Sequence, residues 1–229
     1  MSALDVLSAG AAESVLRRVA DEQGFALRGH FGPVGINRDR LLAGEACDIV
    51  VLTDAMIEGL ISSGHVAPGT AVALGRVDTA LSVAAGASKP KVADAEALRG
   101  VLLAATAIHI PDPAKATAGA HVARVIGDLS IADAVGSRLK IASGGAAAMA
   151  ALAASGDVRA IGATQATEIK ATPGVALVGP LPWPHGLSTV YTAAIAGRAT
   201  RAEAARALLD ALASGAATSL IADAGFTPV

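Results

Sequence analysis

The chain has 229 residues and a formal net charge of −2, and its Lys and Arg residues form no run. Because neutralising several phosphates requires clustered basic side chains, this composition argues against nucleic acid as a partner. Hydrophobic residues make up 53% of the chain but aromatic residues only 2%, so the core must consist of Ala, Val, Leu and Ile, which suits helices packed on a parallel sheet.

Strand-like and helix-like segments alternate from the start of the chain, which is typical of βαβ units. A helix is predicted over residues 12–23, where apolar residues recur at helical spacing, and a second helix between Gly35 and Gly44. Residues 47–52 are almost wholly apolar, which is typical of a strand buried on both faces. The first predicted strands are residues 4–8, 26–31 and 47–52.

The same alternation continues to the end of the chain, with a polar break at residues 88–91. Further strands are predicted over residues 79–84, 107–110, 139–142, 159–163, 175–179 and 189–196. Further helices are predicted over residues 94–105, from Thr117 onward, and over residues 131–138, 146–154 and 201–213. The pattern therefore predicts an α/β fold with parallel-rich sheets.

Small residues stand between a strand and a helix at five places. Small side chains let backbone N–H groups approach a ligand, and helix N-termini add unsatisfied donors and the positive end of the dipole. Any one of these loops is explained equally well as a simple turn or cap. Because ligands of open α/β sheets bind outside the carboxyl ends of the strands, the five loops together predict an anion site. The loops are Ser8–Ala11, Gly32–Gly35, Thr53–Asp54, Thr117–Gly119 and Ser143–Gly145.

The segments Val6–Ala11, Phe31–Gly35 and Leu41–Asp54 resemble the molybdate-type substrate-binding proteins of ABC transporters. Pro111-Asp112-Pro113, followed by Ala118-Gly119, is similar to a second-lobe loop of the same family. The resemblance implies a two-lobed type-2 periplasmic-binding-protein fold, with two parallel-rich sheets, flanking helices and a ligand cleft between the lobes. It implies that residues 1–80 and 190–229 form lobe 1 and that residues 81–189 form lobe 2.

The chain differs from that family where hydroxyl groups usually hold a tetrahedral oxyanion. Ala11 and Pro33-Val34-Gly35 stand at those positions, and Gln165 replaces a tyrosine. An amide, hydroxyl groups and a cation from Arg38 or Lys115 would suit a planar carboxylate, although each cation is equally compatible with a solvated surface position. The expected ligand is a carboxylate or an oxyanion. The candidate ligand-binding residues are Ser8, Ala9, Gly10, Gly32, Pro33, Val34, Gly35, Arg38, Thr53, Lys115, Thr117, Ala118, Ser143, Gly144, Gly145 and Gln165.

The aconitate isomerases are similar to the molybdate-type binding proteins, which implies a second hypothesis. The chain would then be a cofactor-free isomerase that moves a proton within an unsaturated di- or tricarboxylate. Such chemistry needs a base beside the acidic carbon and donors that stabilise the developing charge. His30, Lys115 and Glu168 are the candidate bases, and the sequence does not choose among them. A ligand sensor is a third hypothesis.

Other features of the sequence set expectations about cofactors, location and partners. Cys47 is the only cysteine, and the five histidines show no metal-binding spacing, so we expect no metal and no other cofactor. No apolar stretch approaches the ~20 residues of a membrane span, and we expect no membrane insertion. The first residues show no basic and apolar leader, which predicts a cytoplasmic location as written, or a periplasmic one if an upstream leader was lost. A permease of an ABC transporter would be the partner if the chain is exported, and we expect a monomer.

Overall fold

The computed structural model describes residues 3–229, in which nine strands and ten α-helices alternate. The strands are β1 (Ala3–Ala9), β2 (Ala26–Gly32), β3 (Ile49–Thr53), β4 (Val72–Ala84), β5 (Ile108–Pro111), β6 (Leu139–Ala142), β7 (Ile161–Gln165), β8 (Val175–Pro180) and β9 (Ser188–Ile195). The helices are α1 (Glu13–Glu22), α2 (Val34–Leu42), α3 (Asp54–Ser62), α4 (Ala95–Ala104), α5 (Thr117–Asp128), α6 (Ala132–Val135), α7 (Gly145–Ser155), α8 (Ala166–Ala171), α9 (Ala202–Ala213) and α10 (Gly215–Ala224). Two short 3-10 turns, Gly10–Ala12 and Gly136–Arg138, precede α1 and β6.

The contacts between residues divide the described chain into two compact units. Unit 1 holds the described residues up to Val77 together with Thr189–Val229, and unit 2 is Asp78–Ser188. Each unit has its own strands, flanking helices and core, so each can be described by itself.

In unit 1, β1 is the central strand of three parallel strands. It pairs with β2 so that Ala9 lies opposite Gly32, and with β3 so that Ser8 lies opposite Val51. Strand β9 adds to β3 in the antiparallel direction, and β4 lies next to β9. The carboxyl ends of β1, β2 and β3 therefore meet at one edge of the sheet.

Unit 2 is built on the same plan. Strand β5 runs parallel to β6, with Pro111 opposite Ala142, and parallel to β7, with His109 opposite Gly162. Strand β4 pairs with β7 and with β8, in both cases antiparallel. The carboxyl ends of β5, β6 and β7 meet at one edge, as those of the parallel strands do in unit 1.

The core of each unit is aliphatic, as the composition predicts. In unit 1, α1 buries Val15, Leu16 and Val19 and packs against β2, α9 and α10. In unit 2, Leu98 and Leu102 of α4 join a buried cluster with the side chains of β5 and α5. Because the burial of one such side chain contributes about 1.5–3 kcal/mol, these clusters are what holds the strands in place.

Most predicted elements are present, with four differences. The predicted helix over residues 131–138 is a four-residue helix, α6, followed by a 3-10 turn. Strand β4 begins at Val72, earlier than predicted, and helices α8 and α10 were not predicted. Helix α8 has only six residues and follows β7 directly, which leaves too short a segment for helical periodicity to show.

Within residues 3–229 no single helix has the length and apolar character to cross a membrane. Helices α9 and α10 meet those criteria only when taken together, and they are bent by 74° at the break between them.

Candidate functional site

The strand-end loops of unit 1 place three uncapped helix starts at one edge of the sheet. The 3-10 turn follows Ala9, α2 follows Pro33 and α3 follows Thr53, and none of these N-cap side chains hydrogen-bonds a first-turn N–H. In contrast, the carboxylate of Asp94 accepts a hydrogen bond from the N–H of Ala97 at 2.8 Å and caps α4. The edge therefore offers N–H donors and positive helix ends to an anion.

A buried amide connects two of these loops. Asn37 in α2 is fully buried, and its Nδ2 donates to the carbonyl oxygen of Ser8 at 2.6 Å and to that of Gly32 at 3.4 Å. Its Oδ1 lies 2.7 Å from Nδ1 of His30. Sequence reasoning missed Asn37, because an Asn in the first two turns of a helix usually indicates an exposed position.

The imidazole of His30 lies over Gly32 at the end of β2. A Cβ atom on Gly32 would stand 2.8 Å from Cε1 of His30, so the glycine leaves the space that the ring fills. His30 is half-buried, and Asn37 is its only hydrogen-bond partner in the described part of the chain. One ring nitrogen, Nε2, therefore remains open.

Three polar side chains near the strand-end loops of unit 1 are engaged within the unit. Ser8 is fully buried and its hydroxyl donates to the carbonyl oxygen of Ala9 at 3.0 Å. Asp54 follows Thr53 and accepts a hydrogen bond from the hydroxyl of Thr192 at 2.6 Å. The side chain of Arg38 is 44% exposed, and its guanidinium pairs with the carboxylate of its neighbour Asp39 at 2.7 Å. The described contacts do not join Arg38 to the strand-end loops.

In unit 2, three further loops meet at the carboxyl ends of β5, β6 and β7. The N–H of Asp112 donates to the carbonyl oxygen of Ala142 at 2.8 Å, which ties the loop after β5 to the loop that begins with Ser143. Helix α5 approaches β5 so closely that a Cβ atom on Gly119 would stand 2.2 Å from the carbonyl oxygen of Pro111. This brings Thr117, Ala118, Ser143 and Gly144 to one edge, and the N-cap residues of α5 and α7 form no side-chain cap.

The side chain of Gln165 is buried without partners at this edge. It is 3% exposed, and neither Nε2 nor Oε1 has a hydrogen-bond partner among residues 3–229. Thr79 lies opposite Gln165 on β4, and its buried hydroxyl is also unpartnered in the described chain, as is that of Thr167. Because a buried polar group without a hydrogen bond is costly, such a cluster indicates a place for a ligand or for ordered water.

Glu168 and Lys115, two of the three candidate bases, are held by neighbouring groups. The hydroxyl of Thr164 donates to Oε2 of Glu168 at 2.6 Å, and a Cβ atom on Gly145 would stand 1.8 Å from the same oxygen. The carboxylate therefore lies against the first turn of α7, where the helix dipole stabilises negative charge. Lys115 is 55% exposed, and its Nζ lies 3.4 Å from Oδ2 of Asp112.

The remaining reactive side chains do not form a catalytic or metal centre in the described chain. Burial raises the pKa of the Cys47 thiol to about 12, so it is not a thiolate nucleophile near neutral pH. Residues 3–229 contain no group of three or more His, Cys, Asp or Glu side chains that could hold a metal ion. The chemistry that the strand-end loops offer is anion binding by N–H groups, hydrogen bonding by the amide of Gln165, and proton transfer by the imidazole of His30.

Comparison with known proteins agrees with this geometry. The family described as bacterial extracellular solute-binding protein matches residues 4–227. An aconitate isomerase from a Pseudomonas species is 32% identical over 191 residues, which cover 83% of this chain and 71% of the isomerase. The resemblance predicted from the strand-end segments is therefore confirmed.

Two solved structures show the same fold. The periplasmic molybdate-binding protein of Azotobacter vinelandii is 20% identical, with a TM-score of 0.76 over 99% of each chain. A sulfate-binding protein from Mycobacterium tuberculosis H37Rv is 17% identical, with a TM-score of 0.73 over 100% of this chain and 88% of that one. The predicted fold class, the α/β fold of periplasmic binding proteins, is confirmed.

Proposed function

Because the chain belongs to the bacterial extracellular solute-binding protein family, we propose that it binds a small anion at its strand-end loops, and that this anion is a carboxylic acid rather than molybdate or sulfate. The observation that carries the proposal is the buried amide of Gln165, which has no hydrogen-bond partner within residues 3–229. In unit 1, the uncapped starts of α2 and α3 supply N–H donors that suit any anion. In unit 2, the uncapped starts of α5 and α7 do the same.

The amide discriminates between the two ligand classes by its chemistry. It presents a donor, Nε2, and an acceptor, Oε1, and each needs a complementary group. Molybdate, sulfate and a fully ionised carboxylate offer only acceptors, so each of them would leave Oε1 unpaired. A carboxyl group in its acid form, or a carboxylate beside a hydroxyl group, offers an acceptor and a donor together and can satisfy both amide atoms.

The differences from an oxyanion site in unit 1 support the same ligand class. Ala11 and Pro33-Val34-Gly35 carry no hydroxyl groups, and the hydroxyl of Ser8 is already bonded to Ala9. The relative at 32% identity is an aconitate isomerase, which acts on a tricarboxylate.

A panel of ligands tests the proposal. Thermal unfolding would be followed with molybdate, sulfate, citrate, cis-aconitate and trans-aconitate, each added separately to the same protein. A ligand that binds only the folded state stabilises it by about 2.7 kcal/mol at a hundredfold excess over Kd. We expect at least one of the three tricarboxylates to raise Tm. Stabilisation by molybdate or sulfate alone would refute the carboxylic-acid proposal.

A second candidate function is a cofactor-free isomerase of an unsaturated tricarboxylate. The specific observation in its favour is His30, which is the candidate base with an open ring nitrogen. Proton NMR of cis- and trans-aconitate in the presence of the protein would show whether they interconvert. Conversion that is lost in His30→Gln, while the ligand still raises Tm, would establish the enzyme. If no conversion occurs with a ligand that binds, the chain is a binding protein.

The two candidates differ in the compartment and partner they require. A binding protein that serves an ABC importer must be exported to meet its permease, whereas an isomerase needs no such partner. The cytoplasmic location and the monomeric state stay predictions. Fractionation of cells that express the natural gene from its own upstream region would test the first, and light scattering of the purified protein would test the second.

A further inference from the structure

We infer that Asn37 fixes the tautomer of His30 so that the open nitrogen, Nε2, is presented to the bound acid as a proton acceptor. The inference rests on the proposed function, since it concerns the same strand-end loops of unit 1, and it assigns a role to Asn37. Asn37 is a positioning residue here, because it acts through His30.

The orientation of the Asn37 amide follows from its partners. The carbonyl oxygens of Ser8 and Gly32 are acceptors only, and both lie within hydrogen-bond distance of one end of the amide, at 2.6 Å and 3.4 Å. That end must therefore be the NH₂ group, since an oxygen there would face two oxygens. The other end is Oδ1, which is an acceptor only.

The tautomer of His30 follows in turn. An acceptor 2.7 Å from Nδ1 requires that Nδ1 carries a proton. When the ring is neutral, Nε2 then has a lone pair and no proton. The hydrogen bond made by one ring nitrogen thus sets the role of the other, as it does for metal-bound and catalytic histidines.

The ring also lies where a ligand of the strand-end loops would meet it. The imidazole covers Gly32, the last residue of β2, and Gly32 has no side chain to displace it. Pro33 and the uncapped first turn of α2 follow directly, so the N–H donors of that turn and Nε2 belong to the same loop. Three residues, His30, Gly32 and Asn37, therefore combine a base, the space for it and the group that orients it.

The chemistry available to this arrangement is a proton shift that balances without a co-reactant. Nε2 takes a proton from the CH₂ group of an unsaturated tricarboxylate, which breaks a C–H bond and forms an N–H bond. The released electron pair forms a new C=C bond as the old C=C bond gives its pair to the far carbon. That carbon then takes the proton from Nε2, so the neutral imidazole is regenerated and the double bond has moved.

Nitrogen NMR tests the inference directly. Protein labelled with ¹⁵N at histidine gives separate signals for a protonated and an unprotonated ring nitrogen. We expect the neutral form of His30 in the unliganded protein to show Nδ1 protonated and Nε2 unprotonated. His65 is the internal control, because its Nδ1 lies 3.1 Å from the hydroxyl of Ser63, a group that can either donate or accept a hydrogen bond. A signal from protonated Nε2 of neutral His30 would overturn the inference.

Two substitutions of Asn37 separate positioning from folding. Asn37→Asp in its protonated form keeps a donor for the carbonyl oxygens of Ser8 and Gly32 and an acceptor for Nδ1, so we expect it to retain the tautomer of His30. Asn37→Leu removes the acceptor, so we expect both tautomers of His30 to be populated while His65 is unchanged. An unchanged tautomer in a folded Asn37→Leu would overturn the inference. If Asn37→Leu does not fold, Gly32→Ala replaces it, and we expect that variant to displace the ring and change the signals of His30 only.

The role of Nε2 is tested with trans-aconitate and citrate as probes. We expect the probe that raises Tm to shift the Nε2 signal, and a shift of Tm without any change at Nε2 would overturn the inference but leave the binding function intact. If trans-aconitate is converted, Asn37→Leu should lower kcat by about 100-fold or more, with a much smaller change in KM. A factor of about 100 is the lower end of the rate enhancement that general base catalysis gives. If neither these probes nor cis-aconitate raises Tm, the carboxylic-acid proposal fails, and the tautomer of His30 still decides the role of Asn37.

Discussion

Replacing Gln165 by methionine should stabilise the unliganded protein and weaken the binding of its ligand. The side chain is 3% exposed and both amide atoms lack hydrogen-bond partners among residues 3–229. Methionine has a similar length and volume, fills irregular space well and has no strong donor or acceptor. The substitution therefore removes two unpaired polar atoms without opening a cavity.

The expected size of the change follows from the cost of an unsatisfied polar group. Each buried donor or acceptor without a partner costs about 1–3 kcal/mol. With both amide atoms taken at the lower end, Gln165→Met gains about 2 kcal/mol, which corresponds to a rise in Tm of about 4–8 °C for a chain of this size. The loss of two hydrogen bonds to the ligand should weaken binding by about 10- to 100-fold.

Calorimetry and ligand titration check both halves of this prediction on the same samples. Gln23→Met is the matched control, because Gln23 is exposed at the end of α1 and its substitution should change stability by less than about 0.5 kcal/mol. A fall in Tm for Gln165→Met would refute the reasoning, since it would mean that the amide is already satisfied in the unliganded protein. Unchanged affinity would remove Gln165 from the binding site.

Three further predictions concern the frameworks of the two units. In unit 1, the buried carboxylate of Asp48 accepts hydrogen bonds from the N–H groups of Asp5, Thr200 and Arg201 at 3.0 Å each and from the Arg201 guanidinium at 3.2 Å. Asp48→Asn should cost about 3–5 kcal/mol in urea unfolding, whereas Asp39→Asn, which breaks an exposed pair, should cost less than about 1 kcal/mol. Burial acts to raise the pKa of Asp48, but the N–H groups of Asp5 and Arg201 and the Arg201 guanidinium outweigh it and lower the pKa below its ordinary value. The stabilisation by this carboxylate is therefore present above about pH 4 and is lost as the pH falls through the lowered pKa. The difference in Tm between wild type and Asp48→Asn should narrow in acid. A difference that stays constant with pH would contradict the stabilising role of the Asp48 carboxylate. In unit 2, Gly119→Ala should lower the free energy of unfolding by about 1–3 kcal/mol, because its Cβ would meet the carbonyl oxygen of Pro111 at 2.2 Å. Gly127→Ala in the same helix meets nothing within 4 Å and should raise the free energy of unfolding by about 0.5–1 kcal/mol. Equal effects of the two substitutions in chemical denaturation would show that α5 and β5 are not in close contact.

The fold was largely predictable because its strands are short apolar runs and its helices carry regular periodicity. Strand β3, with four fully buried residues, shows this most clearly. The direction of β9 was not predictable, because periodicity marks a strand but does not tell whether it pairs parallel or antiparallel with its neighbour. Strand β4 was predicted too short, since the residues before Thr79 include Gly75 and Arg76 and so lack an apolar run.

The candidate site was predictable only in its backbone. Small residues at strand ends are visible in any sequence, and the register of β1, β2 and β3 brings those of unit 1 to one edge. The positions of the cationic groups of Arg38 and Lys115 were not predictable, because the direction of a long side chain depends on the nearest acceptor. Arg38 pairs with Asp39 and Lys115 pairs with Asp112. Both carboxylates are close in sequence to their partners, but no motif marks them.

Asn37 shows why a buried polar residue is harder to find than a loop. Its partners come from the backbone of β1, the end of β2 and the side chain of His30, and nothing in the spacing of these residues joins them. Only the register that sets Ala9 opposite Gly32 brings the carbonyl oxygens of Ser8 and Gly32 within reach of one amide. Once that register is known, the acceptors fix the amide, the amide fixes the imidazole, and the open nitrogen follows without any further assumption. The chemical character of the loop is therefore a property of strand pairing, and it should survive changes in the loop itself but not a shift of β1 against β2.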